Sequence, residues 1–257
     1  MLKFLDNRPF PMPKKIAFIN GGSGEIGKAI VKRFLRSSEW KVIVGTRNVE
    51  EARLKLASSS QNLQIFPVSS SSMEAAALSV KNIEGYIAPR GIDAFVNAAG
   101  SVCQSLIVRL LDEDLTRMLE SNLSGAIRLN KAVVRSMLKS SGDSTSILNI
   151  GSVVGSYGNS GQVSYSASKA GLIGMTHSLA KEVGRKGIRV NLLEPGLINS
   201  KMVSDSNTWD DKAISERVLL QRTGSVDEVA NLAFFLSTSE ASYITNQVMR
   251  VDGGLCL

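Results

Sequence analysis

The sequence predicts a doubly wound α/β fold, in which helices cover both faces of one parallel seven-stranded sheet. Short apolar runs, typical of strands buried on both faces, alternate along the chain with stretches whose apolar residues recur every three to four positions. The 257 residues are 43% hydrophobic and 21% charged, as in an ordinary globular protein. Because no internal repeat or linker interrupts the alternation, we expect one domain over residues 14–257, after a loose lead-in over residues 1–13.

In the first half of the chain, each predicted strand is followed by a helix or a loop leading into one. The strands are Lys15–Ile19, Trp40–Val44, Leu63–Val68 and Ile92–Val96. The helices are one through Ile26, Ile30, Val31 and Phe34, a second over Glu50–Leu56, and a third that begins near Met73. The serine run Ser69–Ser72 is expected to cap the third helix.

The second half continues the same alternation with longer helices. Its predicted strands are Ser146–Ile150, Ile188–Leu193 and Gln247–Val251. Its predicted helices cover about Asp112–Leu138, about Ser164–Gly184 and Val226–Leu236.

Composition excludes several classes of protein. No apolar run approaches the ~20 residues of a membrane span. Two cysteines, Cys103 and Cys256, cannot form a disulfide framework, and nothing resembles a metal-ligand cluster, so we expect no metal and favour a reducing compartment. The formal net charge of +7 is spread over short clusters, which argues against a nucleic-acid partner and for a solvated surface or attraction to an anionic cofactor or acidic partner.

A few residues and segments have mainly structural interpretations. The sole histidine, His177, is expected to be a packing or subunit-contact residue, and Cys103 a small structural residue. The lead-in is too polar for a secretory signal and too broken by proline for a transit helix.

A glycine-rich loop follows the first strand. Gly22, Gly24 and Gly27 form the pattern G-x-G-x-x-G, which allows a tight turn and brings a helix N-terminus to a pyrophosphate. The pattern predicts a dinucleotide site whose contacts include Gly21, Ser23, Gly24, Ile26 and Gly27. The second strand ends in Arg47 and Asn48 with no acid before Glu50, which favours NADPH over NADH because arginine suits a 2′-phosphate.

Three residues after the fifth strand suggest acid–base catalysis. Ser152 follows this strand, and Tyr165 and Lys169 are spaced i, i+4 at the start of a helix, so they share one face. We expect the Lys169 ammonium to lower the pKa of Tyr165, which would give a proton to a carbonyl oxygen held also by Ser152. A chance spacing and a turn serine are the structural alternatives.

From about Lys14 to Leu257 the chain resembles the short-chain dehydrogenase/reductases, which have a single-domain Rossmann fold. The resemblance is carried by the residues above together with Asn97-Ala98-Ala99-Gly100, Asn122, Pro195-Gly196-Leu197-Ile198-Asn199-Ser200 and Val251-Asp252-Gly253-Gly254. It implies that Asn122 holds a water in the proton relay behind Lys169, which also binds the nicotinamide ribose. It implies further cofactor contacts at Asn97, Ala98, Gly100, Tyr165, Lys169, Pro195, Gly196, Ile198 and Ser200.

Within this family the chain is most similar to β-ketoacyl-acyl-carrier-protein reductases, including a mitochondrial type. This implies NADPH-dependent reduction of 3-oxoacyl-acyl-carrier-protein in fatty-acid synthesis, in the mitochondrial matrix or the cytoplasm. It also implies a homotetramer, or a hetero-oligomer with a second subunit of the family. A substrate lid is expected at Met202, Val203 and Trp209, and contacts to the acidic carrier protein at Arg135 and Lys186. The alternatives are a carbonyl or quinone reductase for free small molecules and a non-catalytic scaffold subunit.

The chain departs from the family pattern at three places. Glu25 stands where the usual loop has a glycine, and Gly24 where many NADPH users carry a basic residue. The segment Pro67-Val68-Ser69-Ser70 lacks the acid that contacts adenine in relatives. We expect pyrophosphate binding to survive, with Glu25 weakening the affinity for phosphate.

Overall fold

The computed structural model describes residues 15–56, 60–139, 145–199 and 216–256. Within these ranges seven strands form one parallel sheet in the order β3-β2-β1-β4-β5-β6-β7. The strands are β1 Lys15–Asn20, β2 Trp40–Thr46, β3 Leu63–Pro67, β4 Ala94–Asn97, β5 Thr145–Ile150, β6 Ile188–Pro195 and β7 Val248–Val251. The predicted doubly wound α/β fold is confirmed; the lead-in over residues 1–13 lies outside the described residues.

Helices pack on both faces of the sheet, and each strand alternates its side chains between them. On β1, Ala17 and Ile19 belong to the apolar cluster on one face of the sheet, whereas Ile16 and Phe18 belong to the cluster on the other face. The helices are α1 Glu25–Leu35, α2 Val49–Leu56, α3 Met73–Ile87, α4 Asp112–Leu119, α5 Gly125–Met137, α6 Val153–Tyr157, α7 Val163–Val183 and α8 Val226–Ser237. None of the helices described is long and apolar enough to cross a bilayer.

Two features differ from the elements predicted from the sequence. The single helix expected over Asp112–Leu138 is divided by a π-helical turn, Glu120–Ser124, in which the Gly125 N–H bonds to the Glu120 carbonyl five residues back. The short helix α6 was not predicted, because five residues give no measurable periodicity. The cap of α3 is confirmed, since the Ser72 hydroxyl accepts from the Ala75 N–H at 3.1 Å.

The strand order reverses between β1 and β4, which lie side by side although the chain leaves them toward opposite faces. Such a switch point opens a crevice at the carboxyl edge of a parallel sheet, where ligands bind. Here the Asn20 side chain at the end of β1 donates to the Asn97 side chain at the end of β4 at 2.9 Å. This bond ties together the two strand ends that flank the crevice.

Candidate active site

Ser152, Tyr165 and Lys169 meet at the carboxyl edge of β5. Ser152 is the N-cap of α6, and its hydroxyl accepts from the Val154 N–H at 3.3 Å. Tyr165 and Lys169 project from the first turns of α7, and the Tyr165 and Ser152 side chains line the same cleft. The Lys169 Nζ donates to the Ile150 carbonyl at 3.0 Å and lies 5.7 Å from the centre of the Tyr165 ring. The trio expected from the sequence is therefore assembled in one place.

A cleft of about 150 Å³ opens onto these side chains. It is bounded by residues from the glycine loop, the segment after β4, the end of β5, α7 and the segment after β6. They are Ile26, Ala98, Gly100, Ser101, Ile150, Gly151, Ser152, Tyr165, Lys169, Pro195, Gly196 and Ile198. Five separate stretches of sequence thus converge on one crevice.

Burial dominates the electrostatics of Tyr165 and Lys169. Burial raises the pKa of Tyr165, and the hydrogen bond from Ser152 only partly opposes that rise. Burial also lowers the pKa of Lys169 to about 8. The expectation that the ammonium lowers the tyrosine pKa is wrong for this structure, because desolvation of the phenol outweighs any such effect. Tyr165 is accordingly protonated at neutral pH and can donate a proton.

Asn122 lies in the π-helical turn and is buried. Its side chain forms a pair of hydrogen bonds with the Ser101 backbone, accepting from the N–H at 2.9 Å and donating to the carbonyl at 2.8 Å. It also donates to the Ser168 hydroxyl at 3.2 Å, and Ser168 in turn donates to the Tyr165 carbonyl at 2.7 Å. Asn122 therefore connects the segment after β4 to the helix that carries Tyr165.

The glycine loop fits a dinucleotide. Gly21 has φ +76°, and a Cβ on it would lie 2.5 Å from the Ala99 nitrogen, so the loop is pressed against the segment after β4. A Cβ on Gly22 would lie 2.9 Å from Val44, which explains the close approach of α1 to β2. Helix α1 begins at Glu25, directly after the exposed Gly24, so its N-terminal N–H groups face the switch point. Gly24 itself meets no steric limit: a Cβ there would have only the Gly21 carbonyl, at 3.5 Å.

The end of β2 offers a cation and no carboxylate. Arg47 and Asn48 are exposed directly after the strand. Glu50, the first acid along the chain, is turned toward α2, where it pairs with Arg53 at 2.7 Å. Of the segment after β3, Val68 is buried and the Ser69 N–H donates to Ser79, so this stretch is used for packing.

Other predicted residues lie away from the cleft or outside the described ranges. Arg135 is near the C-terminal end of α5 and Lys186 closes the turn after α7, so both lie at the amino edge of the sheet. A six-residue strand such as β5 separates that edge from the cleft by about 20 Å. Ser200 and the lid residues Met202, Val203 and Trp209 lie outside the described residues.

The remaining candidates have structural surroundings. His177 bonds through Nδ1 to the Asn246 side chain at 2.7 Å, on the far part of α7. Cys103 is half-buried and is not among the residues that line the cleft. In the described residues, no three His, Cys, Asp or Glu side chains are grouped so as to hold a metal.

Sequence reasoning missed three residues near the site. Ser101 and Ser168 complete the Asn122 network, and Ser168 could have been noticed because it stands between Tyr165 and Lys169. Glu194 is fully buried next to the segment that carries Ser152. Its signal was visible: Glu194 is the one acid in the strand that ends in Pro195.

Comparisons with known proteins agree with this arrangement. Residues 22–256 match a family model described as enoyl-(acyl carrier protein) reductase. The chain is 36% identical over 245 residues to the 3-oxoacyl-[acyl-carrier-protein] reductase FabG of Escherichia coli strain K12, covering 94% of this chain and 97% of the relative. It is 39% identical over 243 residues to carbonyl reductase family member 4 of Xenopus laevis, covering 95% and 98%.

Proposed function

The chain belongs to the short-chain dehydrogenase/reductase family, a family of oxidoreductases that use a nicotinamide cofactor. From that premise we propose that it reduces 3-oxoacyl groups on acyl carrier protein to 3-hydroxyacyl groups with NADPH. The observation that carries the proposal is that Ser152 and Tyr165 line one cleft, with Lys169 buried one helical turn away. The named relatives supply the substrate class.

The chain's own residues supply the proton and hold the reacting oxygen. NADPH, when bound, supplies a hydride to C3 of the substrate. Tyr165 is neutral at physiological pH, since its pKa is ordinarily about 10 and burial raises it further, so its hydroxyl can give a proton to the C3 oxygen. Ser152 donates a hydrogen bond to that oxygen and stabilises the charge that develops on it. The hydride and the proton together convert the ketone into the alcohol.

Lys169 restores the proton to Tyr165. An amine with a pKa of about 8 exchanges protons readily near neutral pH. A Cβ on Gly100 would lie 3.3 Å from the Lys169 nitrogen and 3.4 Å from the Asn122 side-chain oxygen. Because Gly100 has no side chain, these two groups border the same space. Protons from solvent reach Lys169 along this side of the cleft, where Asn122 positions the relay.

The preference for NADPH is supported by the end of β2. Arg47 presents a guanidinium there, which binds a phosphate through two parallel hydrogen bonds. A carboxylate at this position would instead accept from a ribose hydroxyl, and Glu50 is held by Arg53 on α2.

A second candidate function keeps the chemistry and changes the substrate. The Xenopus relative is named as a carbonyl reductase, which favours reduction of free ketones or quinones. A third possibility, a non-catalytic scaffold subunit, is disfavoured by the assembled Ser152, Tyr165 and Lys169.

The deciding experiment is a substrate panel. Rates on acetoacetyl-acyl carrier protein, free small ketones and o-quinones are measured at matched NADPH and NADH, with Tyr165→Phe as the comparison. We expect the carrier-bound thioester with NADPH to give the highest kcat/KM and Tyr165→Phe to lose activity by orders of magnitude. Equal rates on free carbonyls would favour the second candidate, and no saturable NADPH binding would favour the scaffold.

The proposal includes a location and an assembly. The resemblance to the mitochondrial type supports a location in the mitochondrial matrix, with the cytoplasm as the alternative. The resemblance to the family supports assembly as a tetramer. Cell fractionation and analytical ultracentrifugation test these two points.

A further inference from the structure

Glu194 is a carboxylate enclosed within the protein next to the proposed catalytic segment. It is the seventh residue of β6 and has 0% exposure. A charged side chain in such a place costs free energy unless it is paired and hydrogen-bonded. The proposed chemistry does not use Glu194, so its position calls for another explanation.

The side chain of Glu194 lies beneath the segment that carries Ser152. The Ser156 hydroxyl, on α6, is 2.9 Å from both Glu194 oxygens and donates to the carboxylate. At the other end of the segment, a Cβ on Gly151 would lie 3.4 Å from the Glu194 Cγ. The backbone from residue 151 to residue 156 thus lies over one buried side chain.

Arg250, on the neighbouring strand β7, also lies near this carboxylate. The Arg250 Nε is 3.7 Å from Glu194, and the Arg250 guanidinium stacks 4.6 Å from the centre of the Tyr157 ring and donates to its hydroxyl. Burial raises the pKa of Glu194, the Ser156 hydrogen bond and Arg250 lower it, and Asp252 raises it. Two consecutive residues of α6, Ser156 and Tyr157, are therefore fastened to the sheet through Glu194 and Arg250.

The position of α6 determines where the Ser152 hydroxyl points. Ser152 is the N-cap of this five-residue helix, and its Oγ is held by the Val154 N–H. On the opposite side α6 touches α7 closely, since a Cβ on Gly155 would lie 2.9 Å from the Lys169 carbonyl carbon. A tilt of α6 would therefore move the Ser152 hydroxyl relative to Tyr165, and misplacement by about 1 Å can cost ~100-fold in rate.

We propose that Glu194 is a positioning residue, which aims the Ser152 hydroxyl at the reacting oxygen by fastening α6 to the sheet through Ser156. The inference rests on the proposed reductase function and adds to it a residue outside the cleft. Glu194 touches neither substrate nor cofactor; it acts through Ser156 and the helix cap.

The test compares Glu194→Ala, Glu194→Gln and Ser156→Ala in the full-length protein. With saturating NADPH, Glu194→Ala is expected to lower kcat by about 10- to 100-fold with little change in the KM for NADPH. Glu194→Gln keeps an oxygen that accepts from Ser156, so most of kcat should return. Ser156→Ala removes only the hydroxyl that donates to Glu194, and it should lower kcat in the same way. It therefore replaces Glu194→Ala in the test if that variant does not fold.

A pH profile separates positioning from a merely structural role. Ser152 lowers the pKa of Tyr165. If Ser152 is misdirected, that lowering is lost, and the rate of alcohol oxidation should begin to increase at a higher pH. Glu194→Ala and Ser152→Ala should shift it in the same direction. In a double-mutant cycle, Glu194→Ala should cost almost nothing further in the Ser152→Ala background, because both act through one hydroxyl.

Asp93→Ala is the matched control. The Asp93 carboxylate is half-buried and accepts from the Ile16 N–H at 2.7 Å, but it lies at the amino edge of the sheet. Its loss should lower stability and leave kcat and the pH midpoint unchanged. A folded Glu194→Ala enzyme with wild-type kcat and pH midpoint, or a fully additive double mutant, would overturn the inference and leave the reductase proposal standing. A wild-type protein inactive on every carbonyl would overturn both.

Discussion

Lys169 illustrates at the scale of one residue how a proposed catalytic group can oppose folding. It is 5% exposed, and its amine bonds to a carbonyl, with a pKa lowered to about 8 from 10.5. A folded-state pKa below the unfolded value means that the unfolded chain binds more protons between these two values. The free energy of unfolding should therefore rise with pH across this interval, and the destabilisation is complete below pH 8.

We predict that Lys169→Met is more stable than the wild type at pH 7. The shifted pKa costs about 3 kcal/mol there, and the lost hydrogen bond to Ile150 offsets roughly 1 kcal/mol, which leaves a gain of about 2 kcal/mol. The gain should shrink as the pH approaches 10, while reductase activity is lost throughout. Urea unfolding at several pH values measures the difference, and a difference independent of pH would contradict this account.

Arg47 provides the residue-scale test of cofactor choice. One charged contact to a phosphate contributes ~1.5–3 kcal/mol, so Arg47→Ala should raise the KM for NADPH by about 10- to 100-fold and change that for NADH little. Arg53→Ala is the control, because Arg53 is an exposed arginine of the same neighbourhood that is already paired with Glu50. Equal effects of Arg47→Ala on both cofactors would remove the argument for NADPH.

At the scale of elements, the placement of α6 depends on a missing side chain. Gly155 allows α6 to lie directly on the backbone of α7 at Lys169, so the serine and the tyrosine belong to two helices in direct contact. A larger residue would separate the elements before it disturbed either one.

We therefore predict that Gly155→Ala lowers both activity and stability. The added methyl would lie 2.9 Å from the Lys169 carbonyl carbon, and overpacking of this kind costs about 1–3 kcal/mol. Gly85→Ala is the matched control, because Gly85 lies in α3 with nothing within 4 Å of an added Cβ. That variant should gain about 0.5–1 kcal/mol and keep full activity. Thermal unfolding and kcat are measured for both.

Elements with a long apolar pattern could be predicted from the sequence, and those defined by tertiary contact could not. The strand β1 was found from its continuous apolar run, and the helix α1 from apolar residues that recur every three to four positions. The π-helical turn at Glu120–Ser124 was missed because it keeps the helical pattern around it. The Ser152, Tyr165 and Lys169 trio was found from its spacing, whereas the direction of the Tyr165 pKa shift depends on burial that no spacing reveals.

At the scale of the whole molecule, the charge of +7 bears on partner choice. A basic surface attracts an acidic carrier protein, and salt shortens the range of this attraction. We predict that kcat/KM for carrier-bound substrate falls steeply between 0.05 and 0.5 M salt, roughly as the Debye length contracts, while that for a small neutral ketone stays nearly constant. Parallel salt responses for both substrates would argue against electrostatic capture.

The strand order described above also governs how the protein is made. Because all seven strands are parallel, no two neighbouring strands can be joined by a tight hairpin. The strand β1 can pair with β4 only after about 77 further residues have been added to the chain. A chain emerging from the ribosome therefore carries apolar strands with open edges until more than a third of it has been synthesised. We expect this connectivity to slow refolding, and the cleft becomes complete only when Ile198 has been added.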